Sequence, residues 1–253
     1  MNGSAHWTLV IATWFALAVV TFAALSFVAV PYGRHTRAGW GPAIPARVAW
    51  MAMEVPAALA FAAWFYLGAG WHSLTSLVFL GLWEVHYVHR AFVYPLMLRG
   101  VDRRMPVGVA GLAFVFNLVN SYWNGRYLFV DASAHPADWL RDPRFLLGLA
   151  LFALGYVINR QADQVLRSLR RPGESGYKIP RGGLYRWVSC PNYLGEIIEW
   201  TGWAVMTWSL PGLAFAVWTA ANLAPRARTH HRWYREQFAD YPPERKILVP
   251  GLW

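Results

Sequence analysis

The sequence predicts an all-α, polytopic membrane protein of seven transmembrane helices, with its N-terminus outside and its C-terminus cytoplasmic. Three observations carry that reading. Hydrophobic residues make up 57% of the 253-residue chain and charged residues only 14%, where soluble domains average about 25% charged. The apolar residues come in long runs, and a helix crossing the ~30 Å hydrocarbon core needs about 20 of them. The basic residues are also unevenly placed. Eighteen of the 23 fall in segments 31–47, 97–105, 166–190 and the tail from 225, as cytoplasmic loops do under the positive-inside rule. The opposite side holds Arg126, Arg141 and Arg144, accompanied by Asp131, Asp138 and Asp142. That distribution accounts for the net charge of +10 without a nucleic-acid partner, and no obligate protein partner is implied. Arg outnumbers Lys 21 to 2. Arg grips phosphates in a bidentate fork, and the bias also fits a GC-rich, bacterial genome.

The elements follow in order. Residues 7–30 form an uncharged run. No Lys or Arg precedes it, and Arg34 and Arg37 follow it, which predicts a retained helix and not a cleaved signal peptide. A turn-rich loop leads to a second span at 46–67, which carries Glu54. The turn after it contains Gly68-Ala69-Gly70, half of a GxGxxG pattern. No strand precedes it and no third Gly follows, so it is no dinucleotide fingerprint. The third span, 74–97, holds Glu84, His86, Tyr87, His89 and Arg90. The fourth, 106–130, carries Asn117, Asn120 and Asn124. The fifth, 145–167, is fully apolar only in its first half. The sixth runs 192–209, a hairpin turn covers 209–212, and the seventh spans 213–224. The tail beyond is basic and aromatic.

Polar residues inside such spans are the candidates for chemistry, because an ionisable group at membrane depth costs roughly 2.5–3.5 kcal/mol. Asn159 and Asp163 are four apart and share a helix face. Asn192 and Glu196 do the same, with Glu199 one turn on. Arg226, His230 and Tyr234 make a third stripe leaving the last span. All lie towards the predicted cytoplasmic ends and flank one basic loop, 166–190. Together they predict a pocket for a large polyanionic ligand, roofed by that loop. The simpler alternative makes Asp163 and Glu196 buried partners of arginines. Glu54 stands apart, beside Trp50, Pro56 and Phe61. Desolvation favours its neutral acid there, and a carboxylic acid kept protonated in a dry site donates a hydrogen bond to a developing oxyanion. Tyr87 has the same capacity. The alternatives are a salt bridge from Glu54 to an Arg on a neighbouring helix, and an interfacial role for Tyr87. Glu84, His86 and His89 have metal-ligand spacing, but no metal is expected. Cys190, the single cysteine, excludes an intrachain disulfide. It precedes Pro191 with no evident base, so a small packing residue is expected there.

The stretch INRQADQVLRSLRRPGESGYKIPRGGLYRWVSCPNYLGEIIEWTGW, followed by RARTHHRWYREQFADYPPERKILVP, resembles the C-terminal half of the steroid 5α-reductase family. RxPGE, Y-x-IP-x-GGL, NYLGEIIEW and HHRxY…DYP carry the resemblance. GRHTR, ME-x-PA around Glu54 and VHYVHRAFVYP extend it more loosely through the first half, and the chain looks like a bacterial homologue. The resemblance implies a seven-helix membrane reductase that uses NADPH on the 4,5 double bond of 3-oxo-4-ene steroids. It implies that 1–253 is a single membrane-embedded domain. Helices in 1–130 would hold a steroid or sterol-like lipid, and 145–253 would hold NADPH. By motif, Asn159, Asp163, Arg170, Tyr177, Asn192, Glu196, Arg226, His230 and Tyr234 look like cofactor contacts, joined by Arg34, Arg90 and Arg103. Glu54 and Tyr87 look like the pair that grips the steroid 3-keto oxygen. Met53 stands where animal members commonly carry Gln. Two rivals remain at this stage. An isoprenylcysteine-type methyltransferase would use S-adenosylmethionine, whose lack of phosphate leaves the arginines poorly explained. A non-enzymatic lipid carrier would line a through-path with polar groups instead of clustering them at one end.

Overall fold

The structure is a computed structural model. It describes residues 2–68, 73–98, 104–131, 135–171, 174 and 176–253; of these, the side chains of 2–10, 131 and 137 are outside what is described. Among the described residues there are seven helices of at least 15 residues, the number of spans expected. They are α1 (Asn2–Phe27), α2 (Ala46–Leu67), α3 (Leu74–Val88), α5 (Val107–Arg126), α6 (Pro143–Ser168), α7 (Pro191–Thr207) and α8 (Leu210–Gln237). A π turn, His89–Val93, and a short α4 (Tyr94–Met97) continue α3. By length and composition α2 and α6 are each apolar enough to cross a membrane, and α1 adds the shorter apolar run Ile11–Phe27. Their outward faces stay apolar: Phe22, Leu59, Leu67 and Val157 are all exposed.

The helices group into two compact units. The first contains β1 (Ala43–Pro45), β2 (Arg104–Pro106) and α2 through α5. β1 and β2 pair antiparallel, Ile44 opposite Met105, and so join the two loops between which α2 and α3 run. Ser73 caps α3 by accepting from the Ser76 amide at 3.3 Å, the usual role of Ser at that position. α2 and α5 run parallel along a polar seam. Asn117 donates to the Met53 carbonyl at 2.6 Å, and Ser121 donates to the Ala57 carbonyl at 3.1 Å. Gly125 lies against Trp64, and Gly68 closes on the Phe129 backbone.

The second unit contains α1, most of α6, α7, α8 and the tail. α1 lies along α8, where the Trp218 indole donates to the Trp14 carbonyl at 2.8 Å. α6 and α7 cross backbone to backbone through two glycines each. A Cβ on Gly195 would lie 2.5 Å from the Asn159 nitrogen and 2.7 Å from the Gly155 oxygen, and Gly202 meets Gly148 and Phe152 in the same way. Ser209 starts α8 by accepting from the Gly212 amide at 3.0 Å. The seventh span does not stop at 224. α8 continues to Gln237 with Pro225 inside it, so the polar stripe stays helical.

Candidate active site

Two polar centres emerge, one in each unit. In the first, α2 and α5 bury Glu54 and Asn117 together, each 6% exposed. The Asn117 amide donates to Glu54 Oε2 at 3.1 Å while also holding the Met53 carbonyl. Arg90, on the π turn, places Nε 3.9 Å from Glu54 Oε1, which is beyond hydrogen-bond reach. Its guanidinium lies over the rings of Trp50 and Tyr94 at 4.7 and 5.0 Å. Tyr87 is buried against Trp83, ring centroids 4.8 Å apart. Trp83 and Arg90, one turn either side of Tyr87, reach α2 at Ala57 and at Glu54 respectively. Residues three and four apart share a face, so Tyr87 lies on the side of α3 from which Trp83 reaches α2. Arg34 lies in the 3-10 turn Gly33–His35. Arg103 lies outside the described residues.

The second centre is built on the glycine crossing. Because Gly195 has no side chain, α6 approaches closely enough for Asn159 to donate to the Asn192 carbonyl at 3.0 Å and to Glu196 Oε2 at 3.4 Å. Asp163, one turn along α6, is buried, and so is Glu199. From α8, His230 Nε2 shares a 3.0 Å hydrogen bond with the Tyr193 hydroxyl, and the Arg226 guanidinium lies 5.4 Å from the Tyr193 ring centre. Tyr234 is buried and stacks on Tyr241. In the basic loop, Arg170 donates to the Gly176 carbonyl at 2.7 Å and lies over Tyr177, whose ring meets Trp233.

Sequence reasoning missed three contributors. Asn117 shows only as one polar residue in a span, and nothing in the sequence says that α5 packs against α2 in the register that sets Asn117 beside Glu54. Tyr185 is 1% exposed, and its hydroxyl has no hydrogen-bond partner among the described residues. Burial pushes this phenol well above its ordinary value, with Cys190 and Asp163 adding to the shift. An orphaned buried donor suits a site that takes a polar ligand. The third contributor is Ser189. Its hydroxyl shares 2.6 Å hydrogen bonds with His231 Nδ1 and with the Tyr241 hydroxyl. Burial, with the Arg235 charge second, holds His231 below its ordinary value. Cys190 packs with Ala227 and Leu248 in an apolar cluster, in keeping with a packing role.

The comparisons with known proteins agree with one another. The family profile described as 3-oxo-5-alpha-steroid 4-dehydrogenase matches residues 103–253. The 3-oxo-5-alpha-steroid 4-dehydrogenase 1 of Bos taurus is 46% identical over 241 residues, covering 94% of this chain and 93% of the relative. The steroid 5-alpha-reductase DET2 of Gossypium hirsutum is 43% identical over 245 residues, 95% of each chain. The Homo sapiens 3-oxo-5-alpha-steroid 4-dehydrogenase 1 is 42% identical over 224 residues, 87% of this chain and 85% of the relative. The similarity therefore extends well beyond the C-terminal half, where the sequence motifs are densest.

Proposed function

This chain belongs to the 3-oxo-5-alpha-steroid 4-dehydrogenase family, and from that premise we propose that it is an NADPH-dependent reductase. It reduces the 4,5 double bond of 3-oxo-4-ene steroids, giving 5α-reduced 3-oxo products. The observation that carries the chemistry is the buried Glu54, fixed through one carboxyl oxygen by Asn117.

Reduction at C5 of an enone sends negative charge through C4 to the 3-oxygen. Donors already in place at that oxygen are the protein's main lever, worth roughly 3–4 kcal/mol each. Asn117 donates to Glu54 Oε2, so Oε1 is the oxygen that carries the acid proton to the substrate. Tyr87 supplies the second donor, and its packing against Trp83 fixes its ring. Trp50 and Tyr94 draw the Arg90 guanidinium onto their faces, which limits its claim on Glu54. C4 then takes a proton from water.

Asn159, Asp163, Asn192, Glu196, Arg226, His230 and Tyr234 hold NADPH, with Arg170 and Tyr177 from the loop and Arg34, Arg90 and Arg103 from the other half. NADPH, when bound, supplies the hydride. The fit rests on this chain's own groups: amide and carboxylate partners across the glycine crossing, a guanidinium beside Tyr193, and the orphaned Tyr185 hydroxyl. The names of the relatives give the methyltransferase and carrier alternatives no support.

The chain lies in the membrane as seven spans, with the basic loops and the tail on the cytoplasmic side. The one-sided placement of 18 basic residues and the pairing of β1 with β2 support this. The Arg bias supports a bacterial cytoplasmic membrane. Thermal melting of the purified protein with NADPH, NADH or S-adenosylmethionine tests the reading, since a ligand stabilises what binds it. A shift with NADPH alone is expected. A shift with S-adenosylmethionine alone would overturn it.

A further inference from the structure

A groove of about 660 Å³ lies between the 181–187 turn and the 242–245 segment. Its two walls are stitched together. Lys246 donates to the Trp187 carbonyl at 2.8 Å, and the Lys246 carbonyl accepts from the Ser189 amide at 3.0 Å. Arg181, Arg186 and Arg245 line it, opposed by Glu244. Arg245 is the unusual member. It is 5% exposed, yet its Nε and Nη1 have no hydrogen-bond partner among the described residues. Its guanidinium lies over the Tyr241 ring at 5.1 Å and interacts with the Tyr241 hydroxyl, which still leaves Nε and Nη1 unmet among the described residues. A buried guanidinium with unmet donors is costly unless an anion meets it.

The groove is separate from the cofactor stripe. Gln161, which lines it, sits two residues from both Asn159 and Asp163. Positions two apart point to opposite sides of a helix, so the groove lies on the other side of α6. Its charge also selects its ligand. Arg181 is engaged by Asp240 at 3.6 Å. That leaves Arg186 and Arg245 against Glu244, a net single positive charge, which matches a phosphodiester better than a dianionic phosphate. Trp187, which lines it, is 51% exposed. Trp at a membrane–water boundary sits at headgroup level.

We propose that this groove binds the phosphodiester headgroup of an anionic phospholipid of the cytoplasmic leaflet. The proposal rests on the membrane placement given above but not on the steroid reaction. Arg186 and Arg245 grip the phosphate as forks, while Trp187 enters the interface.

The test uses the full-length protein, purified in detergent and stripped of lipid. Its melting is followed while dioctanoyl phosphatidylglycerol, dioctanoyl phosphatidylcholine, inorganic phosphate or NADPH is titrated. Phosphatidylglycerol is expected to stabilise saturably, with phosphatidylcholine and phosphate far weaker. Arg186→Ser, at an exposed position, is expected to weaken the lipid about fivefold and leave NADPH binding unchanged. Arg245→Gln is expected to weaken it more. If Arg245→Gln does not fold, Arg186→Ser decides alone. Equal stabilisation by phosphatidylcholine, equal binding of inorganic phosphate, or an unaffected Arg186→Ser overturns the proposal. Competition between the lipid and NADPH also overturns it, because the groove would then belong to the cofactor. A missing NADPH shift with an intact lipid response counts against the reductase reading only.

Discussion

Glu54→Gln separates catalysis from structure at the first polar centre. Two readings of Glu54 predict different damage. If it forms an ion pair with Arg90, the 3.9 Å separation corresponds to about 4 kcal/mol of attraction at an effective dielectric of 20. Both side chains are largely buried, 8% and 11% exposed, so solvent screens the pair little. Breaking such a pair costs roughly 3–5 kcal/mol, and the loss would appear in folding yield and melting temperature. If Glu54 is the acid at the enone oxygen, the glutamine keeps the shape, the Asn117 contact and an N–H donor but cannot give up a proton. Turnover is then expected to fall about 10²–10³-fold with little change in melting. Tyr87→Phe is expected to behave alike, and the double variant to lose less than the product of the two, because groups that act as a unit are not additive. The assay measures melting, NADPH affinity and turnover of a 3-oxo-4-ene steroid on each variant. Normal turnover in Glu54→Gln, or an unstable protein whose surviving fraction is fully active, refutes the catalytic reading.

Three further outcomes are expected. Arg226→Ala removes the guanidinium beside Tyr193 and is expected to cost about 2 kcal/mol or more in cofactor binding, roughly thirtyfold in the NADPH KM; equal use of NADH and NADPH by the wild type would count against the site. Gly195→Ala places a Cβ 2.5 Å from the Asn159 nitrogen and is expected to lower stability by about 1–3 kcal/mol and weaken NADPH binding, whereas Gly111→Ala, which meets open space, is expected to be neutral or stabilising by up to about 1 kcal/mol. His231 is held below its ordinary value, so the unfolded chain binds its proton more readily. Its contribution to stability is present above about pH 6.5 and is lost as pH falls through that value towards the folded one; melting curves of His231→Gln are expected to lack that acid-side slope.

Much of this was legible in the sequence, for definite reasons. The run 46–67 coincides with α2, because an apolar run between Pro45 and Gly68 has unmistakable ends. The end of α8 was not legible by hydropathy. Its last turns carry Arg226, His230 and Tyr234, whose fourfold spacing keeps them on one helical face although the segment is polar. The α6–α7 crossing shows in the sequence only as Gly148, Gly155, Gly195 and Gly202 at sevenfold spacing. Nothing there says that the two pairs face each other. The π turn that carries Arg90 has no composition signal, and two three-residue strands are too short for alternation to mark. Asn117 shows the general difficulty. Its type and burial could be expected, but its role comes from the parallel register of α5 with α2, a long-range fact.

Hydride transfer from NADPH to C5 is measured by giving the purified protein a 3-oxo-4-ene steroid and NADPH deuterated at the transferable position of the nicotinamide. The product is then examined by mass spectrometry and NMR. One deuterium at C5 of a 5α-reduced 3-oxo steroid is expected. Protein that binds NADPH yet forms no product, or a product carrying the deuterium elsewhere, would contradict it.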